Sequence, residues 1–402
     1  MLPQESTLKD ELRQFAIIAI PLSAAYLAEF AMFLTTMMVV GQLGYHSLAA
    51  VGIAGDLSFE IIIVLLALLS VVGVLAAQAL GGERKAERGE SVRQGLVVAT
   101  ALGIPATLLI WNMDLALIAT RQDPKVVELA QQYLRGLSGA VLPVLWFGIF
   151  RNFVAVLSQT VSVLVISASA VALNYLLTVW FVFGGLGVPA LGLFGAGLAT
   201  SIVSWCMFIA LALHVYRKPT FRGFGIFRER WRVQGALCRE IFWLGLPVAG
   251  LAFLEAGLFV VVAILSGVIG AKTLAAYEIT AAWIGIPFVI AFGLAEATMI
   301  RVAHAIGSGS MARARRAGFL GMKLVVSITA VLVIVPIQFS EQIIRVFITP
   351  EDPGYERVSM MATGFLQIAA LFMVFDALQA TSARALRGMK DNIMPLWIAG
   401  FG

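Results

Sequence analysis

Three acidic residues stand where acids are costly. Glu255 and Asp376 each interrupt an apolar run long enough to cross a bilayer, and Glu29 does the same near the start of the chain. A charged side chain at the bilayer centre costs about 2.5–3.5 kcal/mol on insertion scales. Neither Glu255 nor Asp376 has a basic residue inside its own apolar run. A lone buried carboxylate takes up a proton, a metal ion or a cationic ligand, or becomes a neutral hydrogen-bonding group. Glu255 and Asp376 are therefore read as a pair that exchanges cations, with Glu29 as a third candidate. Na⁺, if it is the ion, is expected at Glu255 and Asp376. Glu278 and Glu296 lie nearer the end of their run and read as solvated or structural, and Asp56 reads as a helix N-cap.

The elements that must position these acids are apolar runs of spanning length, about 20 residues each. They fall at 15–42, 57–80, 95–111, 129–150, 161–183, 191–216, 241–269, 274–300, 318–339 and 358–381, and an eleventh starts near Ile393. Of the 402 residues 60% are hydrophobic and 13% charged, with a mean hydropathy of +0.94. Ordinary soluble domains carry about 45–50% apolar and about 25% charged residues, so a soluble enzyme, a nucleic-acid binder and a disordered scaffold are excluded. The net charge of +5 follows from topology instead. Lys and Arg gather at the N-terminus and in alternate loops, from Arg84 to Arg93, from 217 to 239, at Arg313 to Arg316 and at Arg384 to Lys390, with Arg151 after the fourth run. The opposite loops hold few, which places the N-terminus in the cytoplasm. The first run is too long for a signal peptide and stays as a span. Cys206 and Cys238 have neither disulfide nor zinc spacing and read as free thiols.

A shift of the chain by 226 residues superimposes it on itself. Pro21 meets Pro247, Glu29 meets Glu255, Gly41 meets Gly267, Gly44 meets Gly270, and Leu48-Ala49-Ala50 meets Leu274-Ala275-Ala276. Ala77, Gly81 and Gly95 meet Ala303, Gly307 and Gly321 in the same register. The repeated unit is six spans, an even number, so the two halves keep one orientation. Such parallel repeats belong to secondary transporters, whose sites lie between the halves. The expected fold is an all-α polytopic membrane protein of two parallel-related six-helix bundles. The expected domains are a first lobe over 1–216, a basic cytoplasmic linker over 217–239 and a second lobe over 240–402. By repeat arithmetic the second lobe is expected to continue past Gly402 for roughly 40 residues or more.

These residues carry a family likeness. Asn174-Tyr175-Leu176-Leu177, Gly187-Val188-Pro189-Ala190-Leu191-Gly192 and Gly195-Ala196-Gly197-Leu198-Ala199-Thr200 resemble the fifth and sixth spans of multidrug and toxic compound extrusion (MATE) transporters. Ala77-Gln78-Ala79-Leu80-Gly81 with Arg93-Gln94-Gly95, its echo at Arg301-Val302-Ala303, and Asp376 followed by Leu386-Arg387-Gly388 extend the likeness along the whole chain. Glu255 is similar to the NorM-like bacterial branch. The resemblance implies a two-lobed transporter without enzymatic activity in the bacterial inner membrane. It also implies that Asn174 and Thr200 are polar residues of the N-terminal lobe. Thr36 stands where the family has a carboxylate for cation coupling. Glu29, two turns earlier on the same face, is the candidate substitute.

The expected function is export of amphipathic, often cationic, drugs or toxic organic compounds in exchange for Na⁺ or H⁺, with no cofactor. Retention of Glu255 and Asp376 without the first-span carboxylate favours Na⁺ in the second lobe. Asn174, Thr36 and Thr200 are candidates for a polar part of the substrate cavity, and Met32, Phe259, Phe288 and Phe292 for its lining, because thioether and aromatic faces suit organic cations. The expected partners are small organic substrates and lipids, with a monomer as the working unit. A flippase for a lipid-linked or endogenous metabolite on the same fold is the alternative. A channel or receptor is less favoured by a duplicated unit with buried acids. An ATP-driven pump lacks its GxxxxGK[ST] cradle, and an intramembrane enzyme lacks HExxH or GxSxG.

Overall fold

A membrane-spanning chain has no water to satisfy its backbone, so it closes its hydrogen bonds within helices. The computed structural model describes residues 8–41, 43, 45–81, 85–119, 124–185, 187–222, 224–227, 232–269, 271–347 and 355–401. In the first half the helices are α1 (Leu8–Gly41), α2 (Tyr45–Leu69), α3 (Val71–Gly81), α4 (Lys85–Trp111), α5 (Asp114–Ala119), α6 (Pro124–Leu137), α7 (Val141–Val156), α8 (Val161–Phe183) and α9 (Gly192–Arg217). A short α10 (Pro219–Arg222) leads into the connection. The second half holds α11 (Gly235–Ile269), α12 (Ala271–Gly307), α13 (Met311–Gln338), α14 (Ser340–Phe347), α15 (Tyr355–Gly388) and α16 (Ile393–Phe401). Ten helical stretches among the described residues are long and apolar enough to cross a membrane. Pro21 lies inside α1 and Pro247 inside α11, each removing one helical hydrogen bond at the same place in its half. Gly44, Gly270, Arg84, Arg121, Arg228 and Arg230, and the side chains of Lys9, Lys85, Arg88, Lys272, His46 and Glu278, lie outside the described residues.

Several helices run further than their apolar cores. Helix α2 is under way from Tyr45, so Asp56 sits inside it and caps nothing. The small residues before Leu57 are helical because they pack, with Val51 and Ala54 fully buried. Arg384 and Arg387, expected in a loop, are buried within α15, and Arg151 is buried within α7. Arg151 and Arg384 each meet an acid, which lets the helix carry a cation through an apolar environment.

Within the first half α1 packs on α8, α8 on α9, and α2 on α6, over a large core that includes Leu134, Leu145, Phe150 and Phe153. Within the second half α12 is clasped by α13 and α15. The halves meet where α1 runs along α12, α2 along α11 and α3 along α12. One apolar cluster belongs to both halves: Phe15, Ile18, Val74 and Ala77 interleave with Ala291, Leu294, Ile300 and Ala303. Small side chains bring the backbones close. A Cβ on Gly307 would come within 2.0 Å of the Gln78 carbonyl oxygen, and one on Gly293 within 2.6 Å of the Ser23 Cα. The polar groups on this seam are satisfied across it. Ser23 Oγ donates to the Ile290 carbonyl (3.1 Å), Gln78 Nε2 to the Gly388 carbonyl (3.1 Å), and Arg301 Nη2 to Glu11 (2.8 Å).

The connection between halves is strapped to the first. Arg93 donates to the Gly225 carbonyl (2.8 Å) and pairs with Glu90. Gln94 donates to the Arg232 carbonyl (2.8 Å) and accepts from the Gln234 amide (3.0 Å) and the Cys238 thiol (3.2 Å). Phe221 and Phe224 pack on Phe153, and Phe227 stacks on Phe150.

The seam predicts opposite outcomes for two glycines. Gly307→Ala forces a methyl against the Gln78 backbone and should lower stability by about 1–3 kcal/mol, the usual cost of overpacking. Gly364→Ala, in α15 with open space around its Cβ position, should raise stability by about 0.5–1 kcal/mol through helix propensity. Thermal unfolding in detergent reads both, and equal shifts would contradict the close approach.

Candidate functional site

Glu29 and Glu255 occupy matching places in α1 and α11, the first helix of each half, yet their surroundings differ. In the first half, Arg151 of α7 holds Glu29 with Nη1 at 2.9 and 2.8 Å from the two carboxylate oxygens. Ser167 Oγ of α8 adds a contact at 3.4 Å. A carboxylate and a guanidinium at this spacing neutralise one another. In the second half the corresponding helix is α15, and it offers Glu255 a neutral partner: Gln379 Nε2 donates to Oε1 at 3.0 Å. Among the described residues Glu255 and Asp376 form no ion pair.

Asp376 lies one turn before Gln379 on α15, so the amide that binds Glu255 brings the two acids onto one polar face. That face continues to the buried Arg384 and Arg387, about 12 and 16 Å along the helix from Asp376. Arg384 turns to α12 and meets Glu296 at 3.5 Å, both side chains being more than nine-tenths buried. Glu296 therefore has a structural partner, in line with one of the roles expected of it. Glu255, Asp376 and Gln379 supply carboxylate and amide oxygens, the donors that a hard monovalent cation or a proton requires.

The polar residues of the first half also converge. Thr36 Oγ1 of α1 donates to Asn174 Oδ1 of α8 (3.0 Å), and Asn174 Nδ2 reaches Thr200 Oγ1 of α9 at 3.5 Å. Thr178, one turn beyond Asn174, is fully buried with its hydroxyl oxygen unpartnered. This cluster carries no charge, and Glu29 belongs to the separate pair with Arg151.

The four cavity candidates divide. Met32 is half-buried against the core of the first half. Phe259 faces Phe372 at 6.4 Å within the second half. Phe288 and Phe292 are neighbours at 6.2 Å, and Phe292 meets Tyr26 across the seam at 5.1 Å. Sequence reading passed over Gln379, Arg151, Tyr26 and Thr178. It also passed over Glu60, half-buried in α2 with one carboxylate oxygen shut away and unpartnered. Glu60 gave the same signal as Glu255, an acid inside an apolar run. Arg151 offered no such signal, since the 226-residue offset places it on Ala377 and not on Gln379.

Comparison with known proteins matches this architecture. The MatE family model covers residues 21–180 and again 247–402. The two matches begin 226 residues apart, the offset of the internal repeat. A protein of Mesorhizobium japonicum named "Probable multidrug resistance protein NorM" is 35% identical over 400 residues, covering 99% of this chain and 86% of that one. The crystal structure of a eukaryotic MATE transporter superimposes with a TM-score of 0.86 at 22% identity, covering 96% of this chain and 85% of that one. A multidrug resistance MATE family transporter in an outward-facing conformation gives 0.85 at 20% identity, covering 98% and 88%. With the duplicated family match, the ten spans and the two packed halves in agreement, the chain is a multi-pass membrane transporter that belongs to the MATE family, in its NorM-like branch.

Proposed function

We propose that the protein is a secondary antiporter that exports amphipathic, often cationic, organic compounds in exchange for Na⁺ or H⁺. Export proceeds by alternating access between a first lobe over 1–216 and a second over 240–402. The observation that carries this reading is the unequal treatment of two equivalent acids: Glu29 is paired directly with Arg151, while among the described residues Glu255 is hydrogen-bonded by the neutral amide of Gln379, lies near Asp376 and meets the charge of Arg387 without a direct ion pair. Coupling is assigned to Glu255 and Asp376. A cation from outside and a cationic substrate from inside compete for the same carboxylates, and each shifts the conformational equilibrium by its differential affinity for the two states. The inward electrical drive on a monovalent cation is about 2.3 kcal/mol per 100 mV, to which any ion gradient adds. The neutral Thr36, Asn174 and Thr200 cluster is assigned to substrate contact and not to charge exchange. The basic residues of alternate loops support a cytoplasmic N-terminus, and the protein is read as a monomer in the bacterial inner membrane.

Glu255→Gln and Asp376→Asn preserve shape and remove the exchangeable charge. In proteoliposomes loaded with an organic cation, each should abolish efflux driven by an imposed Na⁺ or pH gradient, with expression and helix content near wild type. Efflux at the wild-type rate in both variants would rule the assignment out. Comparing the two gradients in the wild-type protein identifies the ion.

The Glu29–Arg151 pair predicts a different pattern. Arg151→Gln leaves the partly buried Glu29 carboxylate without its cation and should cost about 1–3 kcal/mol of stability. The double variant Glu29→Gln, Arg151→Gln should recover most of that loss and retain coupled efflux. A double variant that stays folded but loses coupling would move the ion site to Glu29.

A further inference from the structure

A chain of charged and aromatic side chains passes from one half to the other at mid-depth of the seam. It starts at Glu29, whose carboxylate holds Arg151 at 2.8 Å. The Arg151 guanidinium lies over the ring of Tyr26, 4.4 Å from its centroid. Tyr26 meets Phe292 in an edge-to-face contact, with centroids 5.1 Å apart and planes at 84°. Arg384 lies over the ring of Phe292 at 3.9 Å, and its far side reaches Glu296 at 3.5 Å. Each guanidinium is anchored by its own acid and in turn orients one ring through the attraction of a cation for a π face.

The division of this chain between the halves is its informative property. Glu29, Arg151 and Tyr26 all belong to the first half, and Phe292, Arg384 and Glu296 all belong to the second. The direct contact that crosses is ring against ring, while the charges of Arg151 and Glu296 face one another across the seam without pairing. An ion pair crossing here would leave two unpaired charges in a low-dielectric interior each time the halves parted. The ring contact parts with every guanidinium still holding its acid. The ion pair that does cross, Glu11 with Arg301, sits at the end of the seam, near the start of α1 and away from the ring contact. Deep in the seam, Ser23 and Gly293 give the two helices their close approach beside the ring contact.

We propose that the Tyr26–Phe292 contact is the catch that holds the two halves together at depth, making these two rings positioning residues of the transport cycle. The proposal rests on alternating access as read above. Opening toward the cytoplasm requires the rings to separate, and the two ion pairs, each within its own half, keep each ring aimed so that the contact reforms.

The test uses the full chain with Cys206 and Cys238 replaced by serine. Spin labels are placed at Val161→Cys and Met311→Cys, exposed positions at the starts of α8 and α13 in opposite halves. Pulsed dipolar spectroscopy in proteoliposomes then reads the closed and open populations. Tyr26→Leu and Phe292→Leu should each shift their ratio roughly tenfold toward the longer distance. The double variant should shift it no further, and Tyr26→Phe, which keeps the ring, should match wild type. Leucine variants with the wild-type distribution, or additive shifts in the double variant, overturn the catch. Should a leucine variant fail to reconstitute, the paired change Arg384→Gln, Glu296→Gln removes both charges that aim Phe292. It should give a smaller shift in the same direction, and no shift overturns the proposal. If wild-type distances stay fixed under a substrate and ion gradient, alternating access itself fails, which is distinct from moving halves that ignore Tyr26 and Phe292.

Discussion

Charge cannot stand unanswered in hydrocarbon, and the interior of this protein is arranged around that constraint. Arg151 answers Glu29, and Arg384 answers Glu296. Both pairs tie a helix at the seam to a helix behind it, α1 to α7 and α12 to α15, so they stiffen each half from within. Glu255 takes the neutral amide of Gln379, and among the described residues neither it nor Asp376 forms a direct ion pair.

The duplication explains why this asymmetry is possible. Two copies of one six-helix plan place an acid in the first helix of each half and bring another helix of the same half against it. The scaffold is shared, and the chemistry diverges through single residues: a guanidinium faces Glu29 where a carboxamide faces Glu255. In the same way Thr36 takes a place that resembles an acidic one in relatives and joins an uncharged cluster with Asn174 and Thr200. Symmetry in the backbone thus coexists with a division of labour in the side chains.

Much of this was legible in the sequence. Hydropathy located the ten spans, because a helix in lipid must be apolar over its whole crossing, and the 226-residue self-similarity separated the halves. Thr36, Asn174 and Thr200, named from the sequence as polar residues, lie together in one hydrogen-bonded cluster. What hydropathy could not show was where helices end when a buried partner allows charge inside them. Arg151, Arg384 and Arg387 looked like loop residues for that reason. Asp56 looked like a cap because the apolar run starts at Leu57, whereas packing of small residues starts the helix at Tyr45. The seam itself was invisible, since nothing in spacing says that Tyr26 and Phe292 touch.

The strap between the halves has a mechanical consequence. With Arg93 and Gln94 gripping Gly225, Arg232 and Gln234, the connecting segment is part of the first half and contributes no slack. The grip reaches into α11 itself, through the Cys238 thiol on Gln94, the packing of Ile241 in the core of the first half and the close approach of Gly245 to the Leu68 backbone. The first turns of α11 are therefore built into the first half, and the helix serves as a shared wall that continues from one half into the other.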